Sequence, residues 1–282
     1  MTVPPIPAPI PLAGVIGAPA GHSLSPRLHR HWLTRYGLPG HYIPLEVSQA
    51  DLADVIRTLP RMGFVGLNVT IPHKESLLKL ADIVTDRASL IGAANTLIYR
   101  ADGKLHADNT DGIGFISNLR QEAPHWHPGA GPAAVLGAGG AARAIVTALL
   151  EAGVPEIRIA NRTRARSEAL RTEFGARLAV YDWVEAGTMF EDAMTVVNTT
   201  SLGMTGKPEL RVPMDALGPR ALVSDIVYTP LRTRFLEDAA AMGCTTVDGL
   251  GMLLHQAAPG FERWFGRRPE VDAAARAAVL TP

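Results

Sequence analysis

The stretch that most constrains this 282-residue chain is Val135-Leu136-Gly137-Ala138-Gly139-Gly140-Ala141-Ala142-Arg143-Ala144. A short apolar run leads into glycines, and small residues then open a helical pattern. The spacing of Gly137, Gly139 and Ala142 is G-x-G-x-x-A. A glycine at the first position permits a tight turn, one at the second lets backbone approach a pyrophosphate, and a small residue at the third lets helix and strand pack closely. The helix N-terminus adds free N–H groups and the positive end of a dipole. Small residues at a strand–helix turn also occur for packing alone. Here a strand precedes and a helical pattern follows, which is the context a dinucleotide loop requires.

The end of the next strand bears on which dinucleotide. A loop built for NAD places Asp or Glu about 20 residues on, to accept from the ribose 2′-OH. This chain has Asn161-Arg162-Thr163-Arg164-Ala165-Arg166 there, with no acid and three arginines. Guanidinium groups suit a phosphate. A solvated basic helix start is the alternative, but cations at a helix N-terminus oppose the dipole unless an anion compensates them. The pattern therefore predicts NADP(H).

The rest of the chain predicts α/β architecture in two parts. Strands are expected at Leu12–Gly17, 42–47, Phe64–Val69 and Thr96–Tyr99, with helices at 26–36 and 49–59. Such alternation implies a parallel or mixed sheet. The segment 122–132, with three prolines, two histidines and two glycines, reads as a surface connection. The alternation then restarts, with strands at Ala133–Leu136, Ile157–Ala160, Thr195–Asn198, Leu222–Asp225 and Thr245–Val247. The tail from Gly249 is helical in pattern, broken at 266–269. The expected organisation is a substrate-binding α/β domain over 1–110, completed by helices over 250–282, and a Rossmann-like nucleotide domain over 111–249. The connections fall near Asp111 and Gly249, with a cleft between the domains.

Lys plus Arg and Asp plus Glu both number 27. The balance argues against nucleic acid as the main partner, since a polyanion partner normally goes with a basic excess. The single Cys244 allows neither an internal disulfide nor a multi-thiolate metal site, and fits a reducing cytoplasm. The first twelve residues hold five prolines and no Lys or Arg, which does not suit a signal peptide and reads as a stiff exposed leader. No run reaches the roughly 18 apolar residues of a membrane span. The histidines show no ligand spacing, so no metal is expected.

Four polar clusters lie in the first half: Gly21-His22-Ser23-Leu24-Ser25-Pro26, the run from Gly66 to Lys74, Gly92-Ala93-Ala94-Asn95-Thr96 and Asp108-Asn109-Thr110-Asp111-Gly112. Ligands of α/β proteins bind beyond the carboxyl ends of strands, which makes these clusters site candidates. Each has a structural alternative: Ser25 as a helix N-cap, Asn and Asp as turn formers, Lys74 as a solvated surface residue.

Taken together, these motifs resemble the shikimate dehydrogenase family. His22-Ser23-Leu24-Ser25-Pro26 is similar to its H-S-x-S-P signature, and Gly66 to Lys74 to its G-x-N-V-T-x-P-x-K signature. Six further motifs follow in order, at 92–96, 109–112, 137–142, 161–166, 198–204 and 248–256, so the resemblance runs from about Gly14 to Gly266. It implies reversible reduction of 3-dehydroshikimate to shikimate with NADPH, in aromatic amino-acid biosynthesis, by a cytoplasmic monomer or homodimer. It further implies that Ser23 and Ser25 bind the substrate carboxylate with Tyr228 near it. Asn68, Thr70, Asn95, Asp111 and Gln256 surround the ring hydroxyls, and Lys74 is catalytic with Asp111 beside it. Gly137, Ala138, Gly139, Gly140 and Ala141 hold the pyrophosphate, and Asn161, Arg162, Thr163 and Arg166 the 2′-phosphate end. Ile226 and Gly249 line the nicotinamide, and Asp86 contacts the cofactor side.

The chain departs from the family pattern at Ala20, at Arg30 and at His106-Ala107-Asp108, none of which is expected to touch a residue assigned to chemistry; they bear on fine substrate preference more than on the reaction. Two other readings stay open: a quinate/shikimate dehydrogenase using NAD, which would want an acid near Asn161, and a non-catalytic NADP(H) sensor, which would need neither Lys74 nor Asp111.

Overall fold

A computed structural model describes residues 9–281. Residues 1–8, most of the expected leader, lie outside the described residues; Pro9 and Ile10 are exposed, and Leu12 already begins a strand. The chain packs as two compact units. One runs up to Thr110 and resumes at Ala257; the other is Asp111–Gln256.

The first unit contains β1 (Leu12–Gly17), α1 (Ser25–Tyr36), β2 (His41–Glu46), α2 (Leu52–Thr58), β3 (Phe64–Val69), β4 (Ile83–Val84), α3 (Asp86–Ile91), β5 (Thr96–Tyr99) and β6 (Leu105–Asp108). Its sheet has the order β2-β1-β3-β5-β6-β4. β1 pairs in parallel with β2 and β3, whereas β5 is antiparallel to both β3 and β6. The sheet is thus mixed. The carboxyl ends of β1, β3 and β6 and the amino end of β5 share one edge, with Asn68 opposite Thr96 and Thr96 opposite Asp108. Ile16, Leu67, Val69, Leu97 and Ala107 join Leu52, Ile56 and Ala88 in one apolar cluster.

The second unit contains α4 (Asp111–Glu122), β7 (Ala133–Leu136), α5 (Gly140–Ala152), β8 (Ile157–Ala160), α6 (Arg164–Phe174), β9 (Leu178–Tyr181), β10 (Thr195–Asn198), β11 (Leu222–Asp225), α7 (Arg234–Ala241), β12 (Thr245–Val247) and the start of α8 (Leu250–Phe265). The rest of α8 and α9 (Ala273–Leu280) belong to the first unit, so the second crossing falls inside a continuous helix.

All strand pairs of the second sheet are parallel, in the order β12-β11-β10-β7-β8-β9. This is the Rossmann order, with its reversal between β7 and β10. Successive strand side chains point to opposite faces. Ala133 and Val135 accordingly join one buried cluster with Ile145 and Leu149 of α5, while Ala134 and Leu136 join another with Phe235 and Leu236 of α7. Burial on both faces explains why Ala133–Leu136 reads as an unbroken apolar run.

The segment 122–132 is not wholly a surface connection. Trp126 packs against the first of those clusters, and its indole Nε1 donates to Thr195 Oγ1 at 2.9 Å. Among the described residues no helix is long and apolar enough to cross a membrane.

Candidate active site

In the first unit the polar clusters converge because their strands end at one edge. The turn after β1 carries Ser23 and Ser25, and the turn after β3 carries Thr70 and Lys74. The segment entering β5 carries Asn95, and the segment leaving β6 carries Asn109 and Thr110. Backbone bonds tie these segments together: Ala94 N donates to Lys74 O at 2.9 Å, Asn95 N to Asp108 O at 3.0 Å, and Thr70 N to Ile16 O at 2.9 Å. Lys74 is half-buried, so it is not a fully solvated surface lysine.

Ser25 is 3% exposed. It is the first helical residue of α1 and not its cap, a position Leu24 takes without a side-chain bond. Ser25 N instead donates to Ser23 Oγ at 3.2 Å. Tyr42 donates to Asn68 Oδ1 at 2.7 Å, and Asn68 Nδ2 faces Asn95 O at 3.3 Å and Thr96 Oγ1 at 3.4 Å. Asn95 Oδ1 accepts from Thr110 N at 2.9 Å and from Thr96 Oγ1 at 2.9 Å, while its Nδ2 donates to Thr110 Oγ1 at 3.0 Å. The result is a buried ribbon of hydroxyl and amide groups, whose members offer both donors and acceptors.

Next to it, Asp108 accepts from Thr85 Oγ1 at 2.8 Å, from Arg87 through a two-point contact, and from Asn109 N at 2.7 Å. Burial works to raise this carboxyl, but the Arg87 guanidinium and the Thr85 and Asn109 donors outweigh it and hold it below the ordinary carboxylate range. Through the Asn95–Asp108 backbone bond, the stretch 106–108 reaches a residue assigned to the ring hydroxyls. Among the other departures, Ala20 is buried and Arg30 exposed. Asp86 is exposed in the first turn of α3.

The motif histidines have other work. His73 is fully buried, and its Nε2 lies 2.8 Å from Val47 O. A carbonyl only accepts, so Nε2 carries the proton and the ring ties the turn after β3 to the end of β2. His255 bonds to Gln121.

In the second unit the dinucleotide loop has the expected shape. Gly137 has φ +106°, and a Cβ there would sit 2.7 Å from Thr199 Oγ1. Gly139, just before α5, has open space where a Cβ would point. Ala142 is fully buried beneath the helix. The loop thus presents backbone to one side and packs on the other. Thr199, at the sheet's reversal point, is fixed by donation to Leu136 O at 2.7 Å.

The three arginines after β8 separate. Arg164 pairs with Glu168 at 3.0 Å and Asp182 at 2.7 Å. Arg162 and Arg166 are exposed and make no ion pair among the described residues. Thr163 precedes α6 without a side-chain cap bond, and Asn161 Nδ2 donates to Thr163 O at 2.9 Å. The first turn of α6 has no acid. Two guanidiniums and a bare helix N-terminus fit a phosphate.

Asp111 is buried at the start of α4, and Gln256 is 8% exposed on α8. The two helices pack closely, because a Cβ on Gly114 would sit 2.7 Å from Gln256 Cβ. Ile226 and half-buried Tyr228 follow β11, and a Cβ on Gly249 would collide with the Ile226 carbonyl. Burial raises the Tyr228 hydroxyl above its usual range. Asp225 is buried and accepts from Thr233 Oγ1 at 2.7 Å and Asn198 Nδ2 at 2.9 Å. Among the described residues no group of three His, Cys, Asp or Glu is placed to hold a metal.

Sequence reasoning assigned roles to neither Tyr42 nor the Arg87–Asp108 clamp. Tyr42 lay in a predicted strand, where a lone tyrosine signals only burial. Its partner Asn68 is 26 residues away in the chain, a pairing visible only once β1 lies between β2 and β3.

Three family models match the chain: Shikimate dehydrogenase substrate binding domain over residues 15–97, Shikimate / quinate 5-dehydrogenase over 129–204, and Shikimate 5'-dehydrogenase C-terminal domain over 249–279. The Shikimate dehydrogenase (NADP(+)) of Cereibacter sphaeroides is 73% identical over 271 residues, 96% of this chain and 97% of that one. Among solved structures, the shikimate dehydrogenase of Aquifex aeolicus superposes with a TM-score of 0.88 at 33% identity, covering 98% of this chain and 100% of its own. The quinate dehydrogenase of Corynebacterium glutamicum, solved with NAD, gives 0.87 at 31% identity over 95% and 98%. Backbone likeness thus spans enzymes named for shikimate and for quinate, whereas the far higher identity lies with an NADP(+) enzyme. The chain belongs to the shikimate dehydrogenase (NADP(+)) family of α/β oxidoreductases.

Proposed function

We propose that this chain catalyses the reversible NADPH-dependent reduction of 3-dehydroshikimate to shikimate in aromatic amino-acid biosynthesis. The observation that carries this reading is the 73% identity to an NADP(+) shikimate dehydrogenase along 96% of the chain. The pair Arg162 and Arg166, without acidic partners among the described residues, agrees with it.

Ser23, Ser25, Asn68, Thr70 and Asn95 of the first unit and Asp111, Tyr228 and Gln256 of the second serve the substrate ring. Ser23 and Ser25 donate to its carboxylate, with Tyr228 alongside. Asn68, Thr70, Asn95, Asp111 and Gln256 serve the hydroxyls, which both donate and accept. The second unit binds NADP(H), with Gly137, Ala138, Gly139, Gly140 and Ala141 along the pyrophosphate. Asn161, Arg162, Thr163 and Arg166 hold the 2′-phosphate end, Ile226 and Gly249 line the nicotinamide, and Asp86 reaches the cofactor side. The bound cofactor supplies or accepts the hydride.

Reduction leaves negative charge growing on the ring oxygen. The Lys74 ammonium stabilises that charge and gives up a proton to it; in oxidation the lysine takes the proton back. Asp111 orients Lys74 and accepts from a substrate hydroxyl. The enzyme works in the cytoplasm as a monomer or homodimer, without metal, nucleic acid or membrane.

Initial rates with shikimate and quinate, each with NADP and with NAD, test this reading. Shikimate with NADP should give the highest kcat/KM. A preference for quinate or for NAD would move the chain to the neighbouring activity, and no turnover with any pair would leave a sensor.

A further inference from the structure

The buried ribbon of the first unit has a direction that the roles above leave unexplained. Asn95 O is a carbonyl and only accepts, so the Asn68 side chain must turn its Nδ2 toward it, at 3.3 Å. That leaves Asn68 Oδ1 facing Tyr42 at 2.7 Å, and an amide oxygen only accepts. Tyr42 has a single hydroxyl proton and must spend it on Asn68. The order is Tyr42 O–H to Asn68 Oδ1, with Asn68 Nδ2 to Asn95 O.

The Tyr42 ring is itself fixed. It stacks on His29 with centroids 3.8 Å apart and planes 7° from parallel. His29 is fully buried, and its ring nitrogens have no hydrogen-bond partner among the described residues. Burial lowers the His29 pKa to about 3, so the stacked partner is a neutral ring. A buried neutral ring therefore backs the one hydroxyl that donates to Asn68, a group assigned to substrate.

We propose that Tyr42 is a positioning residue for the substrate: its hydroxyl holds the Asn68 amide in the orientation that Asn95 O selects, and so keeps the same polar atoms of that amide toward a ring hydroxyl. The proposal rests on the shikimate reading above. Losing one neutral hydrogen bond of this kind is worth roughly a few-fold to tenfold in affinity.

Tyr42→Phe removes the hydroxyl and keeps the ring on His29, so the fold is retained. KM for shikimate should rise about three- to tenfold, with kcat within twofold and KM for NADP unchanged. A merely structural role would lower the active fraction, and hence apparent kcat, and would leave KM alone. In an Asn68→Ala background Tyr42→Phe should add nothing, while in a Ser25→Ala background its effect should persist. A wild-type enzyme active on shikimate whose Tyr42→Phe variant keeps its KM, or whose KM effect survives in Asn68→Ala, overturns the proposal alone. A wild-type enzyme inactive on shikimate with NADP overturns the functional reading and this proposal with it.

Discussion

Replacing Arg162 and Arg166 with alanine removes two guanidiniums that make no ion pair among the described residues. Hydrogen bonds to charged groups are worth about 1.5–3 kcal/mol. Both arginines are exposed, so the lower figure applies, and the pair should contribute about 3 kcal/mol to holding a 2′-phosphate. At about 1.4 kcal/mol per factor of ten, kcat/KM for NADP should fall on the order of 100-fold. NAD carries no 2′-phosphate, and its kcat/KM should stay within about twofold. Arg164→Ala is the internal control: that guanidinium already serves Glu168 and Asp182, so the cofactor preference should scarcely move. Raising the salt to about 1 M shortens the screening length from about 10 Å to about 3 Å and should shrink the wild-type preference. Steady-state rates at saturating shikimate, with each cofactor varied in turn, read all of this. Equal losses for NADP and NAD in the double variant would refute the reasoning.

Other perturbations have equally definite outcomes. Gly137→Ala puts a Cβ 2.7 Å from Thr199 Oγ1 at a φ of +106°, and should cost about 1–3 kcal/mol in a urea titration. Gly139→Ala meets open space and should fold normally yet bind NADP poorly; normal affinity by fluorescence titration would show that this face is not the cofactor's. Ser23→Ala and Ser25→Ala should each raise KM for shikimate roughly tenfold or more while NADP affinity holds; an unchanged KM in the double variant would remove both from the carboxylate. The lowered Asp108 carboxyl has a pH signature. Its contribution to stability is complete above the unfolded value of about 3.9 and is lost as pH falls through the lower folded value. The stability gap between wild type and Asp108→Asn should therefore be constant above about pH 5 and close on further acidification. A gap independent of pH down to acid unfolding would show that the Arg87 contact contributes nothing.

What the sequence made legible follows from burial. Strands buried along their whole length, such as Ala133–Leu136 and Thr195–Asn198, have an apolar centre, unbroken in the first and bounded by Thr195 and Asn198 in the second, and their limits were read to the residue. β2 is an edge strand carrying Pro44 and mostly partly or fully exposed side chains, so its pattern was weaker and its start was placed one residue late. β4 has only two residues, β6 carries His106 and Asp108, and β9 is mostly half-buried; all three were missed. The helix expected over 49–59 begins at Leu52 and passes into a 3-10 turn at Leu59. The second crossing between units leaves no trace in composition, because α8 runs through it as one amphipathic helix. The site motifs were visible because polar groups crowd the turns after buried strands. The ribbon that joins them was not, since most of its bonds span 15 to 28 residues of chain and depend on sheet order.

The central claim is that hydride transfer at the ring carbon is matched by a proton held at Lys74, and Lys74→Ala tests it most directly. Lys74 is half-buried and its backbone is tied to Ala94, so truncation should leave the turn in place. A lost acid–base group typically costs about 10²–10⁴ in rate. Steady-state oxidation of shikimate by NADP should show kcat lower by that factor, with KM for shikimate and for NADP moving far less, because the interaction is made mainly in the transition state. Lys74→Arg should restore little, since guanidinium does not readily give up a proton. A Lys74→Ala enzyme with near-normal kcat, or one that lost only affinity for shikimate, would contradict the account.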